Sequence, residues 1–304
     1  MNVFDRQTKQ KQKNVAAKSP EVEVYDYLKE EIGFRLADRI FDIKKHFPNA
    51  LDLGCSRGYV SRHITDDCIG HIVMCDTSKE YLEQATPPQI VPFTKKCLDE
   101  ELLDFPNESM DLVVSSLSLH WINDLPAVFQ KIQQILRPDG VFLGAMFGGD
   151  TLFELRSSLQ AAEMERKGGV SPHISPFVTV QDIGSLMNRA GFNMLTIASD
   201  LALLHLFVLL SYVCLIGYRR YQRMGENNAA WNRPLRLHKD VLTAASAVYQ
   251  TMYGHEDGTI PATFHILNMI GWKPHSSQPK PLERGAGDVS LKDLYRIDQI
   301  VPKK

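Results

Sequence analysis

The chain has 304 residues, 44% of them hydrophobic and 23% charged, with a formal net charge of −2. At roughly 100–200 residues per domain this is one large globular domain or two small ones, and the near-neutral balance excludes a broad basic surface for nucleic acid. Five cysteines without a C-x-x-C pair exclude a disulfide framework or a zinc site and suit a reducing compartment.

The first 20 residues carry Arg6, Lys9, Lys11, Lys13 and Lys18 against Asp5 and read as a solvated basic tail. They contain neither a secretory h-region nor the apolar face of a mitochondrial presequence. Tyr25, Leu28, Ile32, Leu36 and Ile40 recur at helical spacing, which predicts an amphipathic helix within 21–47, ended by Pro48-Asn49. Strands are then predicted at Ala50–Leu53, His71–Cys75, Ile90–Thr94, Met110–Leu117 and Val141–Met146. Helices are predicted between them at Val60–Ile64, Lys79–Ala85 and Leu125–Leu136, the last stopped by Pro138-Asp139-Gly140. Alternation of this kind means right-handed βαβ units, a parallel sheet and helices on both faces. Helices at 151–167, Val180–Ala190 and 238–252 follow, with a late strand at Phe192–Ile197 that can pair antiparallel. Leu201–Tyr218 is uncharged with His205 neutral and precedes Arg219, Arg220 and Arg223. It is a transmembrane candidate of minimal length, or a buried helix.

The first strand ends in Asp52-Leu53-Gly54-Cys55-Ser56-Arg57-Gly58. A dinucleotide loop would need glycine at 54, 56 and 59, and that fingerprint fails. The spacing of Gly54 and Gly58, with an acid two residues upstream, resembles the G-x-G-x-G loop of class I methyltransferases, with Ser56 at the middle position. The cofactor of that fold is S-adenosylmethionine. Asp76, ending the next strand, is placed to accept ribose hydroxyls, or else caps a helix. Asp99 and Glu100 follow the third strand, near an adenine amine or on a solvated acidic face. Ser116, His120 and Trp121 end a buried strand at the crevice where open α/β sheets bind ligands. His120 is a candidate general base, or a histidine packed beneath the site. No N/D-P-P-Y/F sequence occurs at this point. The H-x-D triplets His238–Asp240 and His255–Asp257 read as a helix start and a turn, so no metal site is expected.

Longer strings carry a closer resemblance. They are Asn2–Arg6 with Lys11–Asn14, Leu112–Trp121 with Asn123–Pro126, Gly144–Leu152, Ser171–Phe177, Pro261–Phe264 and Ile270–Lys273. Together they are similar to the mitochondrial complex I assembly factors of methyltransferase fold, known as arginine hydroxylases of a core iron–sulfur subunit. The likeness covers roughly 2–198 and 224–304. It implies a class I S-adenosylmethionine-dependent methyltransferase fold: α/β, Rossmann-like, with a seven-stranded mostly parallel sheet and extra C-terminal helices. It also implies a place on the matrix side of the mitochondrial inner membrane, peripherally associated, and a complex I subunit of the quinone module as protein substrate. The family's cofactor loop falls on Asp52, Gly54 and Gly58, with Cys55 and Ser56 between them; its ribose acid falls on Asp76 and its acidic pair on Asp99 and Glu100. The expected organisation is a tail (1–20), a methyltransferase-like domain (21–198), an atypical apolar segment (199–223) and a helical extension completing the domain (224–304). Three departures stand out: Ser56 for glycine, Met1 where the mature family sequence begins, and the apolar run 199–223 where the family is polar. A misjoined exon or splice variant accounts for that run. Three functions fit these residues: arginine hydroxylation, methylation of a protein or carrier-bound carboxylate, and cofactor-dependent chaperoning of assembly without catalysis.

Overall fold

In the computed structural model, which describes residues 2–19, 22–207, 223–234 and 236–279, the central apolar runs become strands buried on both faces, while the edge strand Phe93–Cys97 is largely exposed. β1 (Phe47–Leu53) and β4 (Met110–Ser116) lie side by side at the centre. β2 (Ile69–Asp76) and β3 (Phe93–Cys97) extend the sheet one way, β5 (Leu136–Phe147) the other. All these pairings are parallel. β6 (Asn193–Phe207) forms the far edge, and β7 (Thr259–Trp272) inserts antiparallel between β5 and β6. Among the described residues the sheet thus has seven strands, in the order β3-β2-β1-β4-β5-β7-β6.

Helices cover both faces. On one side α3 (Tyr27–Asp42), α6 (Phe153–Lys167) and α8 (Lys239–Tyr253) bury Leu36, Leu159 and Val241 in a common core. On the other, α5 (Leu125–Ile135) and α7 (Val180–Arg189) bury Phe129 and Ile183. Local signals set their starts: Asp124 accepts from the Ala127 amide beside Pro126, and Thr179 and Asp182 form a reciprocal capping box. The short α4 (Lys79–Gln84) is capped by Ser78, and α2 (Val22–Tyr25) precedes α3. The elements described here belong to the unit Met1–Pro274; His275–Lys304 form a second unit.

Several expectations are corrected. Residues 6–17 are not a solvated tail: they form α1 (Arg6–Ala17), capped by Asp5, with Lys9 and Lys13 buried. Val60–Ile64 holds only a single 3-10 turn at Ser61–His63. The late strand starting near Phe192 does pair antiparallel, but its partner is β7, which was not expected, so the C-terminal segment supplies a strand as well as a helix. The apolar run opens as sheet: Leu201–Phe207 pair in register with His265 back to Thr259. Among the described residues no helix is long and apolar enough to cross a membrane, and the rest of the candidate span, 208–218, lies outside them.

Candidate active site

The carboxyl ends of β1, β2 and β4 meet where strand order reverses about β1, the place open α/β sheets reserve for ligands. The chain leaves β1 through a loop in which Gly54, Ser56 and Gly58 all take left-handed backbone, with φ of 73°, 50° and 78°. The amides of Gly54 and Cys55 both donate to the Cys75 carbonyl, pinning the loop to the end of β2. A side chain on Gly54 would collide with Ser118, so the bend packs directly against the segment after β4. Ser56 occupies a conformation that costs an L residue roughly 1–2 kcal/mol. Cys55 is buried, and burial pushes its thiol well above the ordinary range.

Asp76 is fully buried at the tip of β2. It accepts the Ser56 amide at 3.0 Å on Oδ2 and the Ser78 amide at 2.8 Å on Oδ1. Lys13 of α1 donates to both oxygens at 3.3 Å. The helix-cap role falls to Ser78, whose Oγ accepts from the Tyr81 amide. Glu100 is fully buried too, so the reading of a solvated acidic face does not hold for it. It accepts from Ser118 Oγ at 2.9 Å, from Lys13 at 3.4 Å and from Arg6. Burial works against its ionisation, but Lys13 and Arg6 bring its pKa down to about 2. Asp99, partly exposed, takes Arg6 at 2.6 Å. Asp52 is buried with Oδ2 bonded to Ser61 Oγ at 2.6 Å; Oδ1 has no hydrogen-bond partner among the described residues. Burial pushes the Asp52 pKa up to about 7.

At the end of β4 Ser116 is half-buried, and beyond it Ser118 is the serine that touches both Gly54 and Glu100. His120 and Trp121 are buried and converge on Glu226: Trp121 Nε1 donates at 2.7 Å and His120 Nε2 lies at 3.2 Å, both on Oε2. Lys29 of α3 pairs with the other oxygen at 2.8 Å. Burial lowers the His120 pKa despite Glu226, so the imidazole is neutral at pH 7. Facing a carboxylate, Nε2 carries the proton, which leaves Nδ1 as an acceptor with no hydrogen-bond partner among the described residues. Phe147 and Phe177 pack around the ring at 4.7 and 5.7 Å. Lys9 of α1 lies 3.2 Å from the Trp121 ring centroid and donates to the carbonyls of Gly225 and Asn227.

The structure therefore gathers Asp52, Gly54, Cys55, Ser56, Gly58, Asp76, Asp99 and Glu100 around the carboxyl ends of β1, β2 and β3, with His120 and Trp121 after β4. Sequence reasoning missed Ser118, Arg6, Lys9, Lys13, Lys29 and Glu226. The i, i+3, i+7 spacing of Arg6, Lys9 and Lys13 was an available signal; Glu226 carries none. The two H-x-D triplets lie elsewhere: His238 precedes α8, and Asp257 accepts from Thr259 in a turn.

The donor set fits a nucleoside bearing a cationic amino acid. Asp76 is a buried carboxylate able to accept from a diol and Asp52 Oδ1 an acceptor with no partner among the described residues, while the cleft of about 180 Å³ nearby is lined by Arg6, Thr77, Cys97, Leu98 and Asp99 and by neither of these acids. Lys13 lies on the Asp76 oxygens that a diol would need.

Comparison with known proteins gives this crevice a family. Residues 25–197 match the family described as "Methyltransferase domain". The chain is 52% identical to the rat "Arginine-hydroxylase NDUFAF5, mitochondrial" over 299 residues, covering 98% of this chain and 85% of that protein. It is 30% identical over 266 residues to the "Malonyl-[acyl-carrier protein] O-methyltransferase" of Methylovorus, covering 84% of this chain and 85% of that one. The YcgJ protein of Bacillus subtilis shares the fold, with a TM-score of 0.51 at 15% identity over 79% of this chain and 98% of that chain. On these matches the chain belongs to the NDUFAF5 arginine-hydroxylase family, built on a class I methyltransferase domain.

Proposed function

We propose that this chain binds S-adenosylmethionine in the β1–β2–β4 crevice and hydroxylates an arginine of a core iron–sulfur subunit of respiratory complex I during early assembly, a two-electron oxidation whose oxygen atom comes from an external oxidant of the dioxygen class with a reductant, not from the cofactor. It would act on the matrix side of the mitochondrial inner membrane, as a peripheral protein. The observation that carries the cofactor reading is Asp76, buried, fixed by two loop amides and one step along the sheet from Gly54. The name of the rat and human relatives, arginine hydroxylase and mitochondrial, supports the reaction and the compartment.

When bound, the cofactor supplies a sulfonium cation carrying a transferable methyl group. Asp76 would accept the ribose hydroxyls, Asp99 and Glu100 would flank the adenine, and Asp52 would face the ammonium. Ser118 holds Glu100 in place, and Ser116 lies at the strand end above the crevice. His120, neutral and with a buried Nδ1 that has no partner among the described residues, would be the candidate to accept a proton from a bound substrate, with Trp121 beside it.

A second reading, methylation of a protein or carrier-bound carboxylate, is supported by the relationship to the malonyl carrier-protein O-methyltransferase. A third, assembly chaperoning without catalysis, draws support from Ser56 in the loop and from Lys13 on Asp76. Mass spectrometry of the complex I iron–sulfur subunits after incubation with this chain tests all three. Added oxygen on arginine supports the first, an added methyl group the second, and an unmodified but stabilised subunit the third.

A further inference from the structure

Arg6, Lys9 and Lys13 recur at spacings of three and four, which lays their side chains along one face of α1. Arg6 and Lys13 rest on the acids of the crevice. Lys9 goes elsewhere. It is 2% exposed, lies over the face of Trp121, itself 1% exposed, and donates to Gly225 O at 3.1 Å and Asn227 O at 2.7 Å. Trp121 in turn is bonded to Glu226. An aromatic face, two converging carbonyls and a nearby carboxylate make a recognition site for a cation.

We propose that Lys9 is an internal stand-in, and that this seat, formed by Trp121, Glu226 and the Gly225 and Asn227 carbonyls, takes the guanidinium of the substrate arginine. The proposal rests on the reading of arginine as the substrate side chain. A guanidinium suits the seat better than an ammonium does. It is planar, so it stacks on the indole, and its fan of N–H donors can reach both carbonyls together while Glu226, held by Lys29, supplies charge nearby. It also keeps its charge when desolvated, whereas burial holds the Lys9 amine well below the usual lysine range. Glu226 joins the seat to the chemistry: the oxygen that receives Trp121 also faces His120 Nε2, so an arginine seated here lies one carboxylate from the candidate base. Entry of the substrate requires α1 to leave, and the same movement withdraws Lys13 from Asp76.

The test titrates the full chain and a Lys9→Met variant with N-acetyl-arginine methylamide, and with the neutral citrulline analogue, by calorimetry. Lys9→Met is expected to bind the arginine amide at least tenfold more tightly than the parent, to discriminate against citrulline, and to lose the gain when combined with Glu226→Gln. Equal affinity of parent and Lys9→Met overturns the proposal, as does citrulline binding as well as arginine. Should Lys9→Met fail to fold, hydrogen exchange on the parent decides: millimolar arginine amide is expected to speed exchange in residues 6–17, and unchanged exchange overturns the seat. Unmodified partner subunit with intact arginine binding would refute hydroxylation and uphold the seat; hydroxylation undiminished in Glu226→Gln would sink the seat alone.

Discussion

Ser118 Oγ stands 2.2 Å from the point a Cβ on residue 54 would occupy, so Gly54 and Ser118 fix each other. Gly54 also has a φ of 73°, where an L side chain is strained. Gly54→Ala is therefore expected to lower stability by about 1–3 kcal/mol and to push Ser118 off Glu100. Thermal unfolding and cofactor calorimetry check this. An alanine variant with parental melting and binding would mean that the loop is not held as described.

The opposite exchange is expected at position 56. Ser56 has a φ of 50° and is largely buried. Glycine removes the left-handed penalty of roughly 1–2 kcal/mol and adds about 0.5–1 kcal/mol of unfolded-state entropy. Ser56→Gly should thus raise the melting temperature by a degree or so and tighten S-adenosylmethionine binding. Weaker binding in the glycine variant would show that the serine has a positive role.

Asp76→Ala removes the acceptor of two loop amides and the candidate ribose ligand. Loss of charged hydrogen bonds of this kind costs about 1–3 kcal/mol. Calorimetric affinity for S-adenosylmethionine should fall by one to two orders of magnitude. Unchanged affinity would reject Asp76 as the ribose acid.

Asp52 and Glu100 respond to pH with opposite sign. The folded pKa of Asp52 is raised from 3.8 to about 7, so the native state holds the proton more tightly, and stability declines as pH rises from about 4 to about 7. The folded pKa of Glu100 is depressed from 4.5 to about 2, so its contribution is complete above about 4.5 and is lost as pH falls toward 2. Asp52→Asn should flatten the slope between pH 4 and 7 and leave the variant more stable than the parent at pH 8. Glu100→Gln should be destabilised at neutral pH, by about 3–5 kcal/mol, because Arg6 and Lys13 lose a buried partner. Denaturant titrations across pH 3–8 measure both, and parallel curves for parent and Asp52→Asn would contradict the Asp52 assignment.

The central strands were legible because β1, β2 and β4 are short apolar runs bounded by turn residues, and the acids that end or follow them lie one βαβ step apart. β7 was not legible. Its fourteen residues are almost all buried, yet they include Pro261, His265, Asn268 and Gly271, so neither an alternating nor a uniformly apolar pattern emerges. α1 was misread for a different reason. Its inward residues are Lys9, Lys13, Ala16 and Ala17, and a hydropathy pattern assigns lysines to water. Only the tertiary fold reveals acids 63 and 87 positions away that take Lys13 out of solvent. Glu226 likewise gains meaning only through His120, more than one hundred residues earlier.

The insertion of β7 between β5 and β6 sets an order on synthesis. Both neighbours emerge from the ribosome before the strand that joins them, and until residue 272 is made each presents an open row of backbone donors and acceptors. The nascent chain thus carries two sticky ribbons, one of them fifteen residues long, through the making of α8. A product truncated anywhere before Thr259 would keep both ribbons for its lifetime, and its fate would be aggregation or proteolysis rather than partial activity.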